Sequence, residues 1–334
     1  IIDTLNYGNP DTLHAMVLFY ILSSEANCDA INWYQGNVVR LLYPRANMTS
    51  QRISDFLAAI GTPEKQLQFQ KAYIRYVMSS YSPDRNILID SSSLPNGNHT
   101  GLTAVSNHNG VISNEIRLIF VVQLESGIPL YYQAIPGNIV DVTTLERTLC
   151  HLSALGINIS SCIMDAGYNC ADNLDLFYNE DGSLKIEFMT RVKAGDATFK
   201  RILKEELATL ESGENFVQYA NRYLFIKKRE VCVGSGGNKK AWMYVGLDCP
   251  RKNDELHKLF RRAERNSLSQ EDVYEAMQHQ GIFALITGTE YTIAELLPAY
   301  YQRQSAEQTF DFAKNYTKLL PLRIHSEETF SGHL

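Results

Sequence analysis

Three acidic residues are the side chains of this 334-residue chain best placed to do chemistry. Asp90 and Asp165 each end a short apolar run that predicts a buried strand, and α/β sheets place their sites at strand ends. Glu307 lies in a long segment with helical spacing. A strand-end Asp also serves as a cap or turn residue, so these positions alone leave both interpretations open.

Two cations and a tyrosine share the predicted helical face of Glu307. Tyr300, Arg303, Glu307 and Lys314 fall within roughly 60° of one another at about 100° per residue. An Arg–Glu salt bridge on a solvated helix face has the same spacing. A Glu held near two strand-end Asp residues would instead complete a binding site for hard divalent cations.

The first 194 residues, which include Asp90 and Asp165, divide into two segments with different patterns. Residues 1–82 show helical periodicity, and the Ser-Pro-Asp turn at 82–84 is a plausible boundary. Residues 83–194 alternate between strand and helix patterns, with Asp141 as the predicted cap of a helix. The expected strands cover 87–90, 116–124, 130–135, 161–165 and 185–192. This order predicts an α/β fold around one mixed sheet.

A basic segment interrupts that layout. Residues 195–280 contain a predicted hairpin over 214–233 and a strand over 242–247, followed by a charged helical stretch. Residues 281–334 return to the first pattern, with a buried strand at 281–287 and one long helix over 292–319. Residues 185–265 hold 18 Lys or Arg and 11 Asp or Glu, so this segment carries +7 and the remainder −13.

This charge asymmetry indicates that one segment faces a polyanion, although the net charge of −6 taken alone argues against nucleic acid. An ordinary solvated basic surface has the same composition. The 45% hydrophobic and 20% charged composition excludes disordered, collagen-like and coiled-coil chains. Six cysteines without a CxxC pair make zinc ribbons and disulfide frameworks unlikely and favour a reducing cytoplasm. The chain starts without Met or a signal-peptide pattern, and we expect a fragment.

The helical spacing matches a known pattern in full. Tyr300-x2-Arg303-x3-Glu307-x6-Lys314 is the Y-x2-R-x3-E-x6-K motif of bacterial DDE transposases of the insertion-sequence-four kind, which this chain resembles. Further segments resemble that family in the same order, from about residue 86 to the last residue. These segments are Ile87-Leu-Ile-Asp90, Gly137-Asn138-x2-Asp141, Ile163-Met-Asp165-Ala-Gly167-Tyr168, the strand at 281–287, Pro321-Leu-Arg-Ile-His325 and Gly332-His-Leu.

The resemblance implies a ribonuclease-H-like mixed sheet with flanking helices, interrupted by the β-rich insertion at 195–280 and preceded by a helical N-terminal region. It implies a transposase that cuts and joins DNA, with Asp90, Asp165 and Glu307 as catalytic and metal-binding residues. Two Mg²⁺ ions, which Mn²⁺ can replace, would activate the attacking oxygen, neutralise the phosphate and stabilise the leaving 3′ oxygen.

The implied partners are transposon-end and target double-stranded DNA, bound by a dimer in the bacterial cytoplasm at the nucleoid, with no membrane. Trp242 is expected either to stack on a base or to lie in the core. Tyr300 is expected either to position a phosphate or to pack in the protein. The other expected phosphate contacts are Arg303, Lys314, Arg191, Lys193, Lys200, Arg201, Lys227, Lys228 and Arg229. Two alternatives stay open: an inactive DNA-binding relative that holds DNA without cutting it, and a stand-alone ribonuclease-H-like nuclease.

Overall fold

A computed structural model of the chain describes residues 1–108, 111–266, 269–315, 320, 322 and 326–334. The helices among these residues are α1 Pro10–Leu22, α2 Ala30–Gln35, α3 Val39–Leu42, α4 Ser50–Ile60, α5 Pro63–Ser80, α6 Leu145–Ala154, α7 Ala171–Asp175, α8 Ala197–Leu210, α9 Cys249–Asn266, α10 Gln270–Met277, α11 Ile293–Tyr301, α12 Gln304–Asn315 and α13 Glu327–His333. None of these helices is long and apolar enough to span a membrane.

The strands alternate with these helices along the chain. They are β1 Asn86–Pro95, β2 Ala104–His108, β3 Val111–Gln123, β4 Pro129–Pro136, β5 Ser161–Met164, β6 Glu187–Arg191, β7 Phe216–Tyr219, β8 Arg222–Val233, β9 Lys239–Asp248 and β10 Ile282–Thr287. The elements form two compact units. The first unit contains Ile1–Ile159 and Arg303–Leu334, and the second contains Ser160–Gln302.

The first unit begins with the helical region that the sequence predicts. Helices α1 to α4 enclose a core that includes Met16, Phe19, Ile53 and Phe56, each no more than 2% exposed. Asn9 caps α1, because its side-chain oxygen accepts a hydrogen bond from the backbone N–H of Thr12 at 3.1 Å. Burial of this apolar face stabilises the short helices, which are marginal in isolation.

Three antiparallel pairings organise the strands of the first unit. Strand β3 pairs with β1 along one edge, while β2 and β4 pair with successive parts of its other edge. The register places Asp90 opposite Phe120 and Ser92 opposite Leu118, so these side chains share one face of the sheet. Phe330 of α13 belongs to the apolar cluster that covers this face.

Helix α13 packs directly against α4 through two glycines. A Cβ on Gly332 would lie 1.9 Å from the carbonyl oxygen of Leu57, and one on Gly61 would lie 1.8 Å from that of Glu328. Only residues without a side chain permit this approach of the two backbones. His333 adds a hydrogen bond between its Nδ1 and the Tyr20 hydroxyl at 3.1 Å.

The second unit contains a mixed sheet in the order β5-β6-β10-β9-β8-β7. Strands β5 and β6 are parallel, whereas the other neighbours are antiparallel. Strand β9 pairs with β10 from Ile282 opposite Leu247 to Thr287 opposite Trp242. The strands of the basic segment therefore extend the sheet that contains β5, β6 and β10.

Four details differ from the sequence-based expectations. Strand β1 continues through the serine-rich stretch to Pro95, so Asp90 lies within a strand and not at its end. Asp141 caps no helix, because its carboxylate binds other side chains. The basic segment contains helix α8 as well as strands. The long helix expected over 292–319 is two helices with a break at residues 302–303, and its predicted last residues lie outside the described part of the chain.

Candidate catalytic residues and a cavity at Asp165

Asp90 and Glu307 in the first unit face one guanidinium group. The Arg303 Nε lies 3.7 Å from Oδ2 of Asp90, and its Nη2 donates a hydrogen bond to Oε1 of Glu307 at 3.2 Å. The Asp90 and Arg303 side chains are 14% and 20% exposed, while Glu307 is 61% exposed. A cation therefore lies between two carboxylates from different elements, β1 and α12.

Packing of α12 on the sheet holds this arrangement. Phe310 is 7% exposed and meets the ring of Phe120 edge-on, with centroids 4.9 Å apart. Because Phe120 is the cross-strand partner of Asp90, this contact fixes α12 above the strand that bears the acid. Lys314, two turns beyond Glu307, donates a hydrogen bond to Oγ of Ser92. Burial lowers the pKa of Lys314, although Asp311 and Glu115 act in the opposite direction.

The break between α11 and α12 alters the predicted helical face. Arg303 lies in the turn between the helices, while Tyr300 lies in the second unit, where its ring meets that of Tyr301 edge-on at 5.7 Å. Pro298 lies inside α11 and supplies no N–H to the helical ladder, which weakens this helix one turn before the break. The i,i+4 contact between Arg303 and Glu307 is present nonetheless.

Asp165 directly follows β5 in the second unit, as the sequence predicts. It starts a 3-10 helix, Ala166–Tyr168, and its backbone carbonyl accepts a hydrogen bond from Thr190 of the neighbouring strand at 3.0 Å. Asp165 lines a cavity of about 690 Å³ within this unit, together with the predicted contacts Arg191 and Lys193. The convergence of Asp165 with Asp90 and Glu307 stays a prediction.

A buried ionic network on the other face of β1 was missed at the sequence level. Arg117 is 6% exposed, and its Nη1 donates to Oδ1 of Asp141 at 3.0 Å while Nη2 lies 3.8 Å from Glu115. Ser91 donates to the same Asp141 oxygen at 2.6 Å. A Cβ on Gly137 would lie 2.2 Å from the Glu115 carbonyl, so glycine lets the loop that bears Asp141 approach β3. The Gly137-Asn138-x2-Asp141 segment was the available signal.

The three consecutive cations of β8 have carboxylate partners within the protein. Lys227 and Arg229 both bind Glu206, whose side chain is 3% exposed, and Lys228 binds Glu290. The ammonium of Lys228 also lies 5.7 Å from the ring centroid of the half-buried Trp242. Arg201 pairs with Glu205, whereas Lys200 is exposed. Contacts of these residues with DNA stay a prediction.

The donor set of the first unit fits a hard divalent cation. Asp90 and Glu307 offer carboxylate oxygens that already converge on one positive charge, and Mg²⁺ prefers such ligands. Within the described ranges, no three His, Cys, Asp or Glu side chains form a ready-made metal cluster. A metal held by Asp90 and Glu307 in this unit stays a prediction.

Comparison with known proteins gives a family match and a similarity of fold. The sequence pattern of the family described as the transposase DDE domain matches residues 81–334. The fold is similar to the cryo-EM structure of the piggyBac transposase synaptic complex with hairpin DNA, with a TM-score of 0.51 and 11% sequence identity. That similarity covers 94% of this chain and 61% of the other, so the chain spans about three fifths of that protein's length. No match was found among curated proteins.

These matches agree with the architecture already described. The likeness to a solved transposase at low identity concerns the fold alone, and it confirms the predicted α/β, ribonuclease-H-like class with a mixed sheet and flanking helices. The family match covers about three quarters of the chain and includes Asp90, Asp165 and Glu307. The chain belongs to the transposase DDE domain family.

Proposed function

We propose that this chain is the catalytic region of a DNA transposase that cleaves DNA strands at insertion-sequence ends and joins them to target DNA. The observation that carries the proposal is the convergence of Asp90 and Glu307 on one guanidinium, on a chain of the transposase DDE domain family. The insertion-sequence-four subfamily is part of this proposal and rests on the Tyr300, Arg303, Glu307 and Lys314 spacing.

The proposed roles follow from charge and position. Asp90, Asp165 and Glu307 hold divalent cations, and Mg²⁺ at such a site would supply charge neutralisation and an activated oxygen nucleophile. Arg303 lies between two of the carboxylates and is placed to exchange that contact for a phosphate oxygen. Lys314 on α12 supplies a second positive charge, and its ammonium donates a hydrogen bond to Ser92.

The test replaces one oxygen of the carboxylate without changing its size. Glu307→Gln should reduce strand cleavage of end DNA by about a hundredfold or more in Mg²⁺, with DNA affinity equal or higher, because a negative charge near the phosphate is removed. The matched control is Glu146→Gln, which changes an exposed glutamate on α6 and should leave strand cleavage and DNA affinity unchanged. Arg303→Ala should lower binding and cleavage together.

The assay pairs gel-shift titration in Ca²⁺ with nicking and strand-transfer assays in Mg²⁺. Normal cleavage by Glu307→Gln would overturn the assignment of the acid. DNA binding by the parent chain without any cutting would favour the inactive DNA-binding alternative. Cutting without strand-transfer products would favour the nuclease alternative.

A further inference from the structure

A cationic cavity lies beside Asp165 within the second unit. Its volume is about 690 Å³, and it is bounded by the ends of β6 and β10 and by one face of α9. Positions 251, 258, 259 and 262 of α9 all line it, at offsets of 0, 7, 8 and 11 residues that place them along one side of a helix. The charged helical stretch that the sequence predicts therefore forms one wall of a pocket.

The cations of this wall are unevenly compensated. Arg251 pairs with Glu255 at 2.6 Å, and the Gly281 backbone N–H donates to the same carboxylate at 2.7 Å. Burial raises the pKa of Glu255, but the Gly281 N–H, Arg251 and the nearby Arg191 outweigh that effect and lower it. Glu255 is therefore charged and ties α9 to the start of β10.

Three further cations line the cavity without an ion pair like that between Arg251 and Glu255. Lys193, Lys258 and Arg262 are exposed, and no carboxylate of the described chain lies within ion-pair distance of them. They line the same cavity as Asp165. An uncompensated cluster of this size attracts a polyanion in preference to a neutral ligand.

The remaining walls are apolar and partly aromatic. Leu259, Ile282 and Phe283 line the cavity together with the cations, and Phe199 of α8 also lines it. Sites for unpaired nucleic acid combine a positive groove, which follows the phosphates, with apolar or aromatic surfaces against which bases lie. A duplex keeps the faces of its bases stacked inside the helix and offers such a wall only its backbone and the edges of its bases.

We propose that this cavity binds an unpaired stretch of a DNA strand next to the phosphodiester at Asp165, with Lys258 and Arg262 as phosphate contacts. The inference rests on the proposed function and specifies which part of its substrate the second unit holds. Lys193 marks the end of the path nearest Asp165, because it follows β6 by two residues, and β6 pairs in parallel with β5.

The test measures affinity for a fluorescent single-stranded oligonucleotide and for a blunt duplex of the same sequence, at several salt concentrations in Ca²⁺. The double variant Lys258→Ala, Arg262→Ala should weaken single-strand binding by about 25-fold at 0.1 M salt. Two phosphate contacts on a single strand contribute about 1.4 to the slope of log affinity against log salt concentration, and between about 1 M and 0.1 M salt this slope corresponds to about 25-fold. Blunt-duplex affinity should change by less than about threefold. Conservative replacement, Lys258→Arg with Arg262→Lys, should restore most single-strand affinity.

The matched control is Lys204→Ala with Arg261→Ala. It removes one Lys and one Arg from exposed positions of α8 and α9 that do not line the cavity, and it should leave the single-strand affinity within about twofold. Equal losses in both double variants, or equal losses for single strand and duplex, would overturn the proposal. Cleavage by Glu307→Gln is scored separately: if that variant is inactive while Lys258→Ala, Arg262→Ala binds single strands normally, the proposed function stands and this inference fails.

Discussion

One buried carboxylate determines what two cations of β8 can do. Glu206 is 3% exposed and accepts hydrogen bonds from Lys227 at 2.8 Å and from Arg229. The Lys227 hydrogen bond lowers the pKa of Glu206 most, burial acts in the opposite direction, and Arg229 lowers it further. Glu206 is therefore an ionised link between α8 and β8.

Replacement of this carboxylate by an amide should destabilise the protein. Glu206→Gln leaves two cations without a counter-charge, and we expect the free energy of unfolding to fall by about 3 kcal/mol in chemical denaturation at pH 7. Glu205→Gln, which breaks the exposed pair with Arg201, is the control and should cost about 0.5 kcal/mol or less. Equal losses in the two variants would contradict a special role for the buried position.

The parent protein and the Glu206→Gln variant also allow a test by pH. The folded pKa of Glu206 is below its ordinary value of 4.5, so its ionised form stabilises the fold above that pH, and this stabilisation is lost as the pH falls through the folded pKa. The difference in unfolding free energy between parent and Glu206→Gln should accordingly narrow below about pH 4.5. A difference that stays constant down to pH 3 would show that the charge of Glu206 is not its source.

At the scale of elements, the contact between α4 and α13 depends on backbone proximity. Gly332→Ala would place a methyl group 1.9 Å from the Leu57 carbonyl, so the helices must separate. We expect a loss of about 2 kcal/mol in the free energy of unfolding. Gly213→Ala is the control, because a Cβ there meets no atom within 4 Å. If thermal melting cannot distinguish the two variants, α13 contributes no packing to the N-terminal helices.

Periodicity in the sequence predicted the elements that are defined by their own apolar pattern. Strands β5 and β10 and the β7–β8 hairpin follow such patterns and were confirmed. Helix α8 also carried a readable signal that the β-rich interpretation missed. Asp196 caps it by accepting from the Phe199 N–H at 2.9 Å, and the buried Phe199, Ile202 and Glu206 repeat at helical spacing.

Other features depend on tertiary pairing and could not be predicted locally. Residues Ser91 to Ser93 have weak strand preference, yet they form a strand because β3 pairs with them residue by residue. At the site, the spacing of Arg303 and Glu307 predicted their contact, whereas the approach of Arg303 to Asp90 depends on how α12 packs on the sheet. The Asp141 network likewise joins residues far apart in sequence.

For the whole molecule, internal pairing changes the meaning of the charge distribution. Residues 185–265 contain 18 Lys or Arg, and half of them have a carboxylate partner. Those with such partners are Arg201, Arg222, Lys227, Lys228, Arg229, Lys239, Lys240, Arg251 and Lys252. The cations available to a polyanion are therefore fewer than the composition suggests, and several of them surround the cavity at Asp165.

Two triple variants, one of paired cations and one of unpaired cations, compare how much each group contributes to DNA binding. Charge alone predicts that changing Lys227, Lys228 and Arg229 together to Ala lowers the salt slope of duplex binding by up to about 2.7, the equivalent of three phosphate contacts. Their ion pairs with Glu206 and Glu290 predict that the salt slope falls by less than about 1, because a phosphate must first displace a carboxylate. The triple variant should instead unfold at a lower temperature.

The control for this last prediction changes Lys200, Lys204 and Arg261 to Ala, which removes the same charge from exposed positions that do not line the cavity and for which the described chain provides no carboxylate partner. It should lower the salt slope more than the β8 variant does, with little change in melting temperature. Both variants are measured by fluorescence anisotropy from 50 to about 300 mM salt, a range over which phosphate contacts dominate. If the β8 variant alone lost the full slope of about 2.7, its cations would leave Glu206 and Glu290 for DNA, and the internal pairs would be contacts of the free protein only.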